Sequence, residues 1–179
     1  MVMTDILRQL SDKELSLGQT RVFSYAPAEP TVPTDTDYQF CDIHNAYLAL
    51  HAATTDESIK TEALKRLVFL NWYYMAEPPM LTGMTELDQD TMANAYQLVN
   101  DVIKAGKLDE EFNWMLAFYS TWGFVILEFA EPGMPELTAF AEHYRWTVRQ
   151  PPLKEQLGLA MENRGQMGKF WNALKDIAT

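Results

Sequence analysis

The sequence predicts an all-α fold: about six to seven helices packed as antiparallel hairpins, in an orthogonal bundle or a short HEAT-like stack, around a central apolar helix near 109–130. Three observations carry this. Apolar residues recur at three- and four-residue spacing from Tyr38 almost to the end. Capping residues, prolines and glycines stand where those runs begin and stop. Between Phe112 and Ala130 only Asn113 and Glu128 are strongly polar, and a helix that is apolar all round belongs inside a bundle.

Taken in order, "TDILRQLSDKEL" reads as a short amphipathic helix with Thr4 and Asp5 as caps and Ile6, Leu7 and Leu10 on one face. Pro27, Pro30 and Pro33 follow at three-residue intervals, a spacing that forbids a helix and suits an extended strap over 16–37. Tyr38, Phe40, Ile43, Tyr47 and Leu50 predict a helix over 37–53, and Thr55 and Asp56 open the next, with Ile59, Leu64, Leu67, Phe69 and Leu70 apolar. A third runs from Glu86 to Gly106, with Lys104 and Lys107 suiting its C-terminal dipole. Asp109, Glu110 and Glu111 start the apolar helix, Pro135 opens another, and a last one over 151–178 is broken near Gly165 or Gly168. "AEPPM" at 76–80 and "AEPGM" at 130–134 each end an aromatic-rich helix, a faint repeat that is the argument for a stack. The whole of 1–179 reads as a single domain.

Composition narrows the function classes. Hydrophobic residues make up 47% and charged residues 22%, as in a globular chain. Residues 1–140 hold 21 acids against 8 Lys/Arg, a balance of −13, whereas 141–179 balance at +2. That charge disfavours nucleic acid and anionic lipid as partners and favours a cationic one. Acids at both ends of 109–130, with no flanking Lys or Arg, argue against a membrane span. A single cysteine, Cys41, and a start without an export-like apolar run point to the cytoplasm.

No cofactor, metal or catalytic motif emerges. GxGxxG, HExxH, ExxH, GxSxG and a His–Asp pair are all absent, and "GQMGK" at 165–169 lacks both the spacing and the strand of a phosphate loop. Cys41, His44 and His51 share helical spacing but lack further ligands. Glu77, Glu128 and Glu131 are awkwardly placed near helix C-termini or in apolar surroundings, so each needs water or a cation, with Arg145, Arg149 and Arg164 as candidates.

The stretch "NWYYMAEPPMLTGM", 71–84, ends a helix at Pro78. Four consecutive bulky residues cover every side of a helix, so Trp72 and Met75 are expected inward and Tyr73 or Tyr74 outward. Exposed tyrosines beside Glu77, Glu86, Asp88 and Asp90, extended by Asp109, Glu110 and Glu111, suit a basic protein surface. The expected function is therefore a non-enzymatic binding module of immunity, antitoxin or adaptor type. The alternative is a helical protein with a Met/aromatic ligand pocket, suggested by Met75, Met80, Met84, Met92 and Met115. An enzyme using Glu128 or Glu131 with His143 or Tyr144 is the remote third reading.

Overall fold

The computed structural model describes residues 3–19, 35–130, 133–146 and 161–177. It is all-α: among the described residues there are eight helices of two turns or more, one single turn, and no strand. The helices are α1 (Met3–Gln19), α2 (Asp35–Ala53), α3 (Glu57–Ala76), the single turn α4 (Pro79–Thr82), α5 (Gln89–Lys104), α6 (Glu110–Tyr119), α7 (Gly123–Ala130), α8 (Pro135–Tyr144) and α9 (Gly165–Ile177). Helices α2 and α3 form an antiparallel hairpin, α5 lies against α3, and α7 and α8 pack together against α5. The first helix packs against the last. An open solenoid joins only neighbouring units, so contact between α1 and α9 makes this a closed bundle.

Local chemistry explains most boundaries. Asp56 caps α3 by accepting the Ser58 and Ile59 N–H groups, Asp88 caps α5 through Thr91, and Asp109 caps α6 through Phe112. Glu77 ends α3 in extended geometry before Pro78, while Gly83 and Gly106 take positive φ after α4 and α5. Helix α1 runs four residues further than the amphipathic start suggested, carrying Leu17 into the core. Of the strap expected at 16–37, residues 16–19 end α1 and Asp35–Asp37 begin α2; residues 20–34 lie outside the described residues.

The apolar run 109–130 is not one central helix. It is divided, and although Phe112, residues 115–120, Val125, Ile126 and Ala130 are buried, Trp122, Phe124 and Glu128 are exposed. A 3₁₀ turn, Ser120–Trp122, separates α6 from α7, and the Ser120 hydroxyl bonds back to the Leu116 carbonyl at 2.7 Å. The most enclosed helix is α3, where every residue from Ala63 to Trp72 is buried. Trp72 stacks on Tyr119 at 4.8 Å, Phe118 meets Trp171 at 4.9 Å, and the Trp171 indole donates to the Tyr119 hydroxyl at 3.3 Å. Trp171 of α9 thus plugs an aromatic cluster shared by α3 and α6.

Two helices are capped from elsewhere in the bundle. Met134, ahead of α8, makes no side-chain cap; the buried Asn100 of α5 accepts the Glu136 and Leu137 N–H groups at 3.0 and 3.1 Å instead. Asn100→Ala should leave both donors unsatisfied and cost about 1–3 kcal/mol, read as a fall in urea midpoint at unchanged m. An unaltered midpoint would show that water replaces the cap. The second borrowed cap, on α9, belongs to the polar centre described next.

Candidate functional site

A charged network runs through the interior where α1, α3, α6 and the start of α9 converge. Arg164 reaches the Glu62 carboxylate through Nε at 2.8 Å and through a second, shorter bond, and it grips both Glu111 oxygens at 2.7 and 2.8 Å. Lys65 bridges Glu111 at 2.7 Å and Asp109 at 2.8 Å. Arg66 binds Glu62 at 2.6 Å and donates to the Leu7 carbonyl at 3.0 Å and to the Ser11 hydroxyl. Burial alone would raise the Glu111 carboxyl, but Arg164 and Lys65 hold it down to about 2. The same balance, with Arg164 and Arg66, lowers Glu62. The cations of this set are buried, and the set opens to the surface chiefly at Asp109 and Glu111.

Glu14 is the exception. It is 1% exposed, accepts the Tyr47 hydroxyl and, at 2.7 Å, the Gln166 N–H at the start of α9. Burial pushes its carboxyl up to about 7, against the lowering effects of Tyr47, the Gln166 N–H and Arg66. Gly165 makes the approach possible: its φ is +58°, and a Cβ there would lie 2.3 Å from a Glu14 oxygen. The predicted break near Gly165 is therefore the beginning of α9, and the residue exists to admit a carboxylate.

The expected acidic face separates into two groups. Glu77, Glu86, Asp88 and Asp90 surround the α3–α5 connection, whereas Asp109, Glu110 and Glu111 lie past the other end of α5, about 24 Å along its axis. In the second group Asp109 and Glu111 are held by Lys65 and Arg164, which leaves Glu110 exposed beside a groove of about 430 Å³ that also meets Trp114. In the first group Glu77, Glu86 and Asp90 have no ion-pair partner among the described residues. Asp42 of α2 joins this group: with Glu86 and Asp88 it exerts charge on Cys41, whose thiol is raised first by burial. Asp42 comes from another helix, so only the α2–α5 contact reveals it.

The tyrosines divide as well. Tyr73 is half-buried and stacks on Phe69 at 5.0 Å, so it packs toward the core, while Tyr74 donates to the Thr85 carbonyl at 3.4 Å and ties α3 to the loop. Trp72 is fully buried; Met75 is half-buried. What faces solvent is Met80, 72% exposed, and Leu81, 57% exposed, on α4 between the acids. Pro78 and Pro79 explain this: they force a new turn and swing it off the bundle.

The remaining candidates resolve simply. Glu128 is exposed on α7, so its charge is not buried; Glu131 and Arg149 lie outside the described residues. Arg145 pairs with Glu142 at 3.3 Å. His44 donates through Nε2 to Asn71 Oδ1 at 2.6 Å, a role fixed because Asn71 Nδ2 already donates to the Met92 carbonyl at 3.2 Å. Burial lowers its imidazole to about 4. No group of three or more His, Cys, Asp or Glu among the described residues is arranged to hold a metal ion. Met84, Met92 and Met115 are core residues, and no methionine lines the three clefts of the described surface that involve Lys60 or Lys65. Among the described residues no helix is long and apolar enough to cross a membrane.

Comparison of the chain with protein-family models, with curated protein sequences and with solved structures finds no match to any of them.

Proposed function

We propose that this protein is a non-enzymatic binding module that engages a partner protein carrying basic and apolar residues, at the face formed by Glu77, Met80, Leu81, Glu86, Asp90 and Asp42. One observation carries the reading. Elsewhere carboxylates such as Glu62, Asp109 and Glu111 are satisfied internally, yet here acids without ion-pair partners among the described residues flank, along the chain, two exposed apolar side chains. Apolar anchors inside a charged rim are the anatomy of a protein interface, and the rim speeds encounter with an oppositely charged surface. The fold's overall charge of −11 reinforces that steering. A cytoplasmic setting, in which Cys41 remains a thiol, accords with this role.

Asp88 is unsuitable for testing the face, because it caps α5. The variants to compare are Glu86→Lys with Asp90→Lys, and Met80→Ser with Leu81→Ser, none of which caps a helix or lies in the core. Both should retain the parent circular dichroism, and the charge pair should melt only slightly lower, because Asp90 lies in the first turn of α5 where a lysine is less favourable. In quantitative affinity capture from the native host, the parent should hold a basic protein stoichiometrically at low salt. The charge variant should lose it at least about tenfold, as should raised salt. A partner held equally by parent and variants, or none at either salt, removes the reading.

A further inference from the structure

On the side of the bundle where α2 ends, His51 is 9% exposed, yet neither ring nitrogen forms a hydrogen bond among the described residues. Nor are those nitrogens sealed in the core: the buried polar atoms without partners belong to His44, Trp72 and Tyr96. The ring stands between two clefts, which share His51 and Lys60. One, of about 330 Å³, is enclosed by the first turns of α3, the end of α5 and the start of α6. Its apolar wall is Leu64, Val102 and Phe112, and its polar rim is His51, Lys60, Lys107, Thr61 and Glu57.

The charge of that rim runs against the rest of the molecule. Lys65, Arg66 and Arg164 are locked into buried pairs, but Lys107 has no ion-pair partner among the described residues. Lys60 has only a long contact of 3.6 Å with Glu57, whose side chain is 74% exposed. Such a pair is readily displaced by a ligand carboxylate. Two flexible ammonium groups and an imidazole converge on a concavity with a hydrocarbon wall, at the small end of the size range of ligand sites.

We propose that this cleft binds a small amphipathic organic anion, its carboxylate between Lys60, Lys107 and the His51 ring and its apolar body against Leu64, Val102 and Phe112. The site is independent of the acidic face, which lies at the opposite end of α5. The chemistry favours a monocarboxylate over a bare phosphate, because the hydrocarbon wall adds nothing for an ion without an apolar body.

The test uses the full-length chain and the imidazole resonances of its three histidines, His44, His51 and His143. Titration with 4-phenylbutyrate should shift the His51 signal saturably and leave the other two in place. The neutral isostere 4-phenylbutanamide and inorganic phosphate should each bind at least about tenfold more weakly. Lys60→Gln with Lys107→Gln, both partly or fully exposed, should weaken 4-phenylbutyrate about tenfold at unchanged circular dichroism. Glu57→Gln, which frees Lys60, should tighten it about threefold. Equal binding of the amide or of phosphate, unchanged affinity in the double variant, or no His51 shift at millimolar ligand would each overturn the proposal.

Discussion

Replacing Arg164 with alanine should lower the unfolding free energy by about 3 kcal/mol. That is the low end of the cost of leaving carboxylates without their cation, because Glu62 and Glu111 are partly rather than fully buried. Arg164 is 8% exposed and grips Glu62 and Glu111 together, so its loss leaves one carboxylate shared by Arg66 and another held by Lys65 alone. A small domain has only about 5–15 kcal/mol in total, so the variant should lose a large share of its stability and unfold at a clearly lower urea concentration. The control distinguishes charge from packing. Arg164→Met with Glu62→Gln and Glu111→Gln removes the whole charged set and should recover most of the loss. Urea midpoints for the single and combined variants measure the coupling. A single variant as stable as the parent would mean that water enters and solvates the carboxylates, and that the network holds nothing together.

The second large effect depends on pH. Glu14 has an ordinary value of 4.5 and stands at about 7 in the folded chain, so the folded state binds the extra proton between those values. Its contribution is therefore fully present below 4.5 and is lost as pH rises through about 7, a swing of about 3 kcal/mol. His44 works the other way. Its folded value of about 4 lies below the ordinary 6.5, so the unfolded state takes up the proton first, and stability is gained as pH rises from 4 to 6.5. Across 4.5–6.5 the two groups oppose each other, and their sum is nearly flat. Glu14→Gln keeps an acceptor for the Gln166 N–H and discards the ionisation. This variant should match the parent near pH 5, exceed it by about 2–3 kcal/mol at pH 8, and show a rising profile between them. A parent and variant that track each other from pH 5 to 8 would mean that Glu14 stays ionised throughout.

Much of this fold is legible from the chain, for a physical reason: helix ends are written in local chemistry. Asp56, Gly106 and Pro78 act on backbone groups within a few residues and are read from the sequence as helix boundaries. Asp88 and Asp109 act as locally, but as N-caps, where the sequence suggests a binding face for Asp88 and the first turn for Asp109. Caps on α8 and α9 escape such reading, since Asn100 and Glu14 are remote in sequence from the N–H groups they satisfy. The same holds for the site. Glu77, Glu86 and Asp90 are recognisable as an acidic run, but three features depend on tertiary contacts. They are the engagement of Asp109 and Glu111 by Lys65 and Arg164, the addition of Asp42, and the turning-in of Tyr73. Met80 and Leu81 carried a usable signal. Apolar residues directly after a double proline cannot continue the buried face of the preceding helix.

The remote cap on α9 also sets a schedule for synthesis. Glu14 and Gln166 are separated by 152 positions, and Ser11 donates to the Asn163 carbonyl at 2.7 Å across the same span. A ribosome adding about 5–20 residues per second delivers the second partner roughly 8 to 30 seconds after the first. Once α3 has been made, and for the rest of that interval, the nascent chain carries Glu62, Arg66 and the aromatic wall of α3 without the Arg164 and Trp171 that close over them. The polar centre cannot dehydrate early, because Arg164, the one cation that bridges Glu62 and Glu111, has not been made. Chains truncated before 161 should therefore be clients for chaperones rather than smaller versions of the fold.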